Sequence, residues 1–129
     1  MPPRYQLKVT TDFAAAHTLE GYPGACARMH GHNWKVEVEV TASALDGIGM
    51  GMDFRDIRNA AREVCERLDH RYLNDIEPFD QVNPTAENIA AHIYRELAAR
   101  LDSDHARVTA ITLWETERAC VRYTEDHTT

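Results

Sequence analysis

Two segments with alternating side chains constrain the fold of this chain more than any other feature. In residues 5–13 the apolar side chains fall on odd-numbered positions, and in residues 34–40 they fall on even-numbered positions. A period of two is typical of a half-buried β-strand. The connection between the two segments contains LEGYPGACARMHGH, which is too long for a tight hairpin and is rich in Gly, Pro, Cys and His. Such a connection indicates a functional loop.

The middle of the chain has a helical pattern instead. Apolar residues recur at spacings of three and four over residues 53–68, which predicts an amphipathic helix. A second helix is predicted to begin at Pro84-Thr85, where Thr85 caps the first turn. Residues 108–115 and 119–123 are rich in β-branched and aromatic side chains, so they are predicted to be two further strands.

The predicted element order is strand, strand, helix, helix, strand, strand. This order, without an internal repeat or a linker, predicts an α+β fold in which residues 1–129 form a single domain. Four strands with two helices on one face leave open sheet edges. Such edges are commonly closed by pairing with other subunits, so we expect self-association.

Charge and cysteine content narrow the functional classes. The chain has 14 Lys and Arg against 21 Asp and Glu, a net charge of −7, which disfavours a broad surface for nucleic acid or anionic lipid. No export signal is visible, and no stretch reaches the roughly 18 apolar residues of a membrane-spanning helix. Three cysteines cannot all pair with one another, so we expect reduced thiols and a cytoplasmic location.

Three histidines lie where the first two strands meet the long connection. His30 and His32 are two residues apart at the start of the second strand, so their side chains project to the same face. His17 follows the first strand and reaches that face if the strands pair antiparallel. Three imidazoles with one open position are the ligand set of a catalytic zinc site. The pattern therefore predicts bound Zn²⁺, although an isolated strand histidine is more often a packing or surface residue.

A cysteine and an Asp-His pair provide further reactive groups. Cys26 lies in the glycine-flanked connection, where a metal ligand, a nucleophile or base, and an inert thiol are all possible roles. Asp69 directly precedes His70, and a carboxylate that orients an imidazole is the basis of a proton-transfer triad. Taken alone, His70 is more simply explained by its interaction with a helix C-terminus. We expect the remaining cysteines, Cys65 and Cys120, to lie in the core.

A glutamate at the end of the third predicted strand has two possible roles. The Glu115 carboxylate could accept the paired hydrogen bonds of a guanidine-like edge. An exposed glutamate without a function is the simpler interpretation, and the spacing of residues alone leaves both open.

Six motifs, taken together, resemble those of one enzyme family. They are FAAAH, CARMHGHN, MDF, LDHRYLN, NPTAEN, and ET with a tyrosine eight residues after the Glu. In this order, from about Tyr5 to Tyr123, they are similar to the 6-pyruvoyltetrahydropterin synthase and 6-carboxytetrahydropterin synthase family. The resemblance implies a tunnelling fold of four antiparallel strands and two helices. It also implies that three subunits close a barrel and that two trimers stack into a hexamer.

The resemblance implies roles for nine residues. The implied zinc ligands are His17, His30 and His32. The implied catalytic triad is Cys26, Asp69 and His70, with the cysteine supplied across a subunit interface. The implied substrate contacts are Glu115 as the anchor of the pterin ring, Thr85 as a further ring contact, and Arg28.

The implied substrate is 7,8-dihydroneopterin triphosphate. The short spacing between Cys26 and His30, with Arg28 inside it, is similar to the bacterial branch of the family. That branch forms 6-carboxy-5,6,7,8-tetrahydropterin, a precursor in deazaguanine and queuosine biosynthesis, with loss of triphosphate and acetaldehyde. The alternatives are the 6-pyruvoyl branch or a related pterin lyase, a pterin- or metal-binding module without catalysis, and a zinc hydrolase. A hydrolase would need a carboxylate base, for which Asp53 is the candidate.

Overall fold

The computed structural model of this protein, which describes residues 2–21 and 28–126, contains the two long N-terminal strands. Strand β1 is Tyr5–His17 and strand β2 is His30–Ala42. They pair antiparallel along their full length, so that His17 lies opposite His30. Both strands are longer than their alternating segments. Backbone hydrogen bonds continue through the Ala, Gly and His residues at these ends, where the side chains follow no simple apolar and polar alternation.

Two helices and two more strands complete most of the fold. They are α1, Phe54–Glu66; α2, Ala86–Leu101; β4, Ala106–Thr116; and β5, Ala119–Tyr123. Asp53 caps α1 by accepting a hydrogen bond from the backbone N–H of Arg55 at 2.8 Å. Thr85 caps α2, as predicted, by accepting one from the N–H of Asn88 at 3.1 Å. Within the described residues, no helix combines the length and the apolar character needed to cross a membrane.

The sheet has five strands where the sequence predicted four. Strand β3 is the dipeptide Arg71–Tyr72, which pairs parallel with β1 and gives the order β3-β1-β2-β4-β5. Two residues are too few to show a periodic pattern, so β3 becomes visible only through its pairing. The α+β class is confirmed, and the four longer strands pair antiparallel.

Both helices pack against one face of the sheet. The core on this face includes Phe13, Trp34, Val36, Ile57, Val64, Ile89, Leu97 and Leu113. Full burial of a large apolar side chain stabilises a fold by roughly 1.5–3 kcal/mol, so this layer holds β1, β2 and β4 firmly in register. The opposite face is polar, and on it Arg122 donates to the buried Glu39 side chain at 3.3 Å.

The two cysteines predicted to lie in the core differ in their surroundings. Cys65 on α1 is buried, as predicted, and burial raises the pKa of its thiol to about 12. The prediction for Cys120 was wrong, because this residue is exposed. Cys120 belongs to the edge strand β5, where alternation places it with Arg122 on the face that carries no helix.

Candidate metal centre and proton-transfer pair

The three histidines named from the sequence meet at one end of the sheet, and we call them the histidine cluster. His17 ends β1 and lies opposite His30, which begins β2. His32 follows on the same side of β2. The rings of His17 and His32 pack edge-on against the ring of Trp34, with ring centroids 5.1 and 5.4 Å apart. Trp34 is fully buried and donates its indole N–H to the carbonyl of Ala15 at 3.3 Å. The buried Trp34 ring therefore supports the imidazoles of His17 and His32 from below the cluster.

Backbone carbonyls orient two of the three imidazoles. His17 Nδ1 lies 2.8 Å from the carbonyl oxygen of Pro84, and His30 Nδ1 lies 2.8 Å from that of Arg28. Because a carbonyl oxygen only accepts, both Nδ1 atoms carry the proton and donate it. In the neutral imidazoles the Nε2 atoms therefore present lone pairs. Metal-binding histidines are generally oriented by outer hydrogen bonds of this kind.

The Nε2 atoms converge as metal ligands do. Those of His17 and His30 are 3.0 Å apart, and two facing lone pairs repel unless a proton or a metal ion lies between them. The buried Nε2 of His32 has no hydrogen-bond partner within the described part of the chain. Ligand atoms around tetrahedral zinc lie about 3.3 Å apart, since Zn–N bonds are about 2.0–2.1 Å long. The three imidazoles thus fit a zinc ion in chemistry, and the His17–His30 distance is close to this spacing.

The structure adds a carboxylate to this cluster. Glu115 Oε1 lies 3.0 Å from Nε2 of His32, 3.4 Å from that of His17 and 3.8 Å from that of His30. The contact with His32 lacks the geometry of a hydrogen bond. All four donor atoms lie within 4.8 Å of one another. Burial lowers the pKa of His32, the carboxylate opposes this change, and the two neighbouring imidazoles reinforce it.

Asp69 and His70 form a hydrogen-bonded pair beyond the end of α1. Asp69 Oδ2 lies 2.9 Å from Nδ1 of His70, and Oδ1 accepts the backbone N–H of Ala14 at 2.8 Å. The hydrogen bond from Ala14, followed by the one from His70, lowers the pKa of Asp69. The ionised carboxylate therefore holds a proton on His70 Nδ1. This leaves His70 Nε2 available to accept a proton.

His70 is positioned by the backbone rather than by burial. Its φ of +58° lies in the left-handed region, which is unfavourable by roughly 1–2 kcal/mol for a residue other than glycine. A hydrogen bond from its N–H to the carbonyl of Ala14, together with the pairing of β3 on β1, offsets this strain. The imidazole itself is 82% exposed. It lies four residues beyond Glu66, the last residue of α1, rather than in the last helical turn.

One residue of the histidine cluster and one of the Asp-His pair line a common groove. It has a volume of about 400 Å³, and both His32 and His70 line it. Ala14, Ala16 and Gly31 form part of its wall, and the lack of bulky side chains at these positions leaves the groove open. His32 and His70 therefore lie close enough to border the same cavity.

The remaining candidates have different surroundings. The Thr85 hydroxyl caps α2. The backbone carbonyl of Arg28 orients His30, and the Arg28 side chain is exposed. Asp53 caps α1 and is not part of the metal-binding group, which removes the basis for a hydrolase. Cys26 lies outside the described residues.

Sequence reasoning missed the backbone contacts that orient the site. The carbonyl of Pro84 orients His17, and the N–H of Ala14 fixes Asp69. Side-chain type carries no signal for such contacts. Side-chain type likewise did not indicate that Glu115 lies beside the histidines, because that proximity depends on the pairing of β2 with β4.

Together these features define an α+β protein with a cluster suited to metal binding and an Asp-His pair, with His32 and His70 on one groove. Comparison with known proteins identifies its family. The model of the family described as 6-pyruvoyl tetrahydropterin synthase matches residues 6–126. The chain belongs to this family, as its motifs predicted, and it is a lyase of the tetrahydropterin synthase type.

Individual relatives agree with this assignment. A protein from Rickettsia typhi named 6-carboxy-5,6,7,8-tetrahydropterin synthase is 33% identical over 128 residues, covering 85% of this chain and 93% of the relative. A Bacillus subtilis protein of the same name is 31% identical over 121 residues, covering 90% and 81%. The solved structure of Caenorhabditis elegans 6-pyruvoyl tetrahydropterin synthase has a TM-score of 0.85 at 25% identity, covering 96% and 97%. The predicted tunnelling fold is confirmed.

Proposed function

We propose that this protein is a zinc-dependent enzyme that converts 7,8-dihydroneopterin triphosphate into 6-carboxy-5,6,7,8-tetrahydropterin, with loss of triphosphate and acetaldehyde. The observation that carries the proposal is the convergence of three imidazole Nε2 atoms, together with a groove that both His32 and His70 line. The names of the Rickettsia and Bacillus relatives favour the 6-carboxy product over the 6-pyruvoyl product. We further propose that residues 1–129 form one catalytic domain in the cytoplasm, where the product enters a deazaguanine or queuosine pathway.

Metal binding is assigned to the histidine cluster. His17, His30 and His32 would hold Zn²⁺ through their Nε2 atoms, with the carbonyls of Pro84 and Arg28 keeping two of these rings in place. When bound, the ion supplies Lewis-acid polarisation of the substrate's side-chain hydroxyl groups, which makes hydrogens on the adjacent carbons more acidic.

Proton transfer is assigned to two groups on opposite sides of the substrate. Asp69 keeps a proton on His70 Nδ1, so Nε2 of His70 accepts a proton from the substrate and can return it. Cys26 is proposed to act as a thiolate base on the other side. In the substrate complex, Glu115 and Thr85 are proposed to contact the pterin ring, and the exposed Arg28 side chain is suited to the triphosphate.

The active form is proposed to be a trimer or hexamer with shared sites. The short outer strands β3 and β5 leave sheet edges that a second copy could cover, and the exposed His70 imidazole is accessible to another chain. Mixing inactive Cys26→Ala and His70→Ala proteins under subunit exchange should restore part of the activity. No recovery despite demonstrated exchange would place all three catalytic groups within one chain.

The function is tested by incubating the zinc-loaded protein with 7,8-dihydroneopterin triphosphate and identifying the products by mass spectrometry. We expect the 6-carboxy product together with an equal amount of acetaldehyde. A 6-pyruvoyl product without acetaldehyde would assign the protein to the other branch of the family. Binding of the pterin without turnover would indicate a binding module and contradict the proposal.

A further inference from the structure

Glu115 lies at the centre of the histidine cluster rather than at its margin. Its Oε1 atom is within 3.8 Å of all three Nε2 atoms, and two of these distances, 3.0 and 3.4 Å, bracket the spacing of about 3.3 Å between ligands of tetrahedral zinc. An ion pair in this position would require a protonated imidazole. When neutral, His17 and His30 donate their Nδ1 protons to carbonyls and so present lone pairs, not N–H groups, to the carboxylate.

The local backbone provides a second, independent indication. Trp114 pairs with Cys120 on β5, but the next pair is Thr116 with Ala119, so Glu115 has no partner across the β4–β5 ladder. This is a β-bulge, a feature that redirects a side chain and occurs preferentially beside active sites. The chain therefore departs from regular strand geometry at the residue whose carboxylate reaches the imidazoles.

We propose that Glu115 is the fourth protein ligand of the resting metal centre and that the substrate must displace it. This inference rests on the proposed function, because it gives the same zinc site a closed resting state. Structural zinc sites have four protein ligands, whereas catalytic sites keep one position for water or substrate. Here the Glu115 side chain is 30% exposed, so it has room to move away from the histidines. Once released, it is free to contact the pterin ring.

The test compares metal binding in metal-free wild type and three variants, using Zn²⁺ affinity from chelator competition and the absorption spectrum of bound Co²⁺. Glu115→Gln should weaken Zn²⁺ binding by at least about 10-fold and change the Co²⁺ spectrum, since even outer-shell groups change affinity by 10–100-fold. Glu117→Gln is the matched control, because Glu117 is exposed and lies outside the four-residue group. His32→Ala should lose the metal. Neopterin should change the Co²⁺ spectrum of wild type more than that of Glu115→Gln.

The outcomes separate the two proposals. Wild-type affinity and spectrum in Glu115→Gln, with metal lost from His32→Ala, would overturn the role of Glu115 and leave the histidine centre intact. Full metal occupancy in His32→Ala would overturn the histidine centre itself. Weakened binding in both Glu115→Gln and Glu117→Gln would indicate a general charge effect and would also contradict a ligand role.

Discussion

The histidine cluster and the Asp69–His70 pair are built in opposite ways. The cluster lies at the paired ends of two long strands, on a buried tryptophan, and its His17 is only 1% exposed. The Asp-His pair follows a helix in an irregular segment, and its imidazole is 82% exposed. The first is fixed by the core, whereas the second is fixed mainly by the two backbone groups of Ala14.

This difference indicates how the two parts contribute to function. A metal centre needs several donors held at defined distances before the ion arrives, which a buried strand end provides. A proton carrier must instead reach its substrate, so it needs orientation without enclosure. The histidine donors come from one chain, while the exposed imidazole of His70 opens toward a groove. Variants at each part should therefore differ in which property they change.

The largest effect is expected when one histidine of the buried cluster is removed. His17→Ala should weaken Zn²⁺ binding by more than about 100-fold, because a direct ligand is lost and even outer-shell groups contribute 10–100-fold. It should also destabilise the metal-free protein by about 1–3 kcal/mol, since the buried carbonyl of Pro84 loses its donor. Chelator competition and chemical unfolding measure both effects. His105→Ala is the control, because this exposed histidine lies outside the cluster. Full metal binding by His17→Ala would contradict the assignment.

For the exposed Asp-His pair, the expected effect is on the catalytic rate alone. His70→Ala should lower kcat by about 100- to 10,000-fold, the usual range for loss of a general acid or base. Zinc content and unfolding temperature should stay close to wild type, because the imidazole makes its one described side-chain contact with Asp69 and is mostly exposed. Turnover, metal analysis and thermal unfolding of the same preparation test this together. A variant that loses zinc as well would show that the two parts are not separate.

The same contrast explains what could be predicted from sequence. The alternation in β1 and β2 placed His17, His30 and His32 on one face, because strand geometry follows directly from a period of two. The helix cap at Thr85 and the apolar periodicity of α1 were likewise local signals. The location of His70 depends on the two-residue strand β3 and on the left-handed backbone conformation of His70 itself. A strand this short shows no periodicity, and no glycine marks the left-handed position. Cys120 was misplaced because edge and central strands have similar compositions.

Glu115 shows a further limit of sequence reasoning. Its spacing from the histidines along the chain has no periodic relation to them, and the bulge that directs it becomes visible only when the β4–β5 register is known. Motif resemblance therefore supplied its inclusion in the site, whereas the fold supplies its distances to the imidazoles. Residues placed by long-range pairing are the ones for which local patterns carry the least information.

The smallest effect is expected from the carboxylate of the exposed pair, and it appears in the pH dependence of stability. The pKa of Asp69 is lowered below its usual value of 3.8, first by the Ala14 N–H and then by His70. A lowered pKa in the folded state stabilises the protein above the unfolded-state value, and this contribution is lost as the pH falls through the folded-state value. The unfolding temperature of metal-free wild type should therefore exceed that of Asp69→Asn near pH 6, and the difference should shrink below about pH 4. A difference that stays constant down to pH 2 would show that the charge of Asp69 does not contribute.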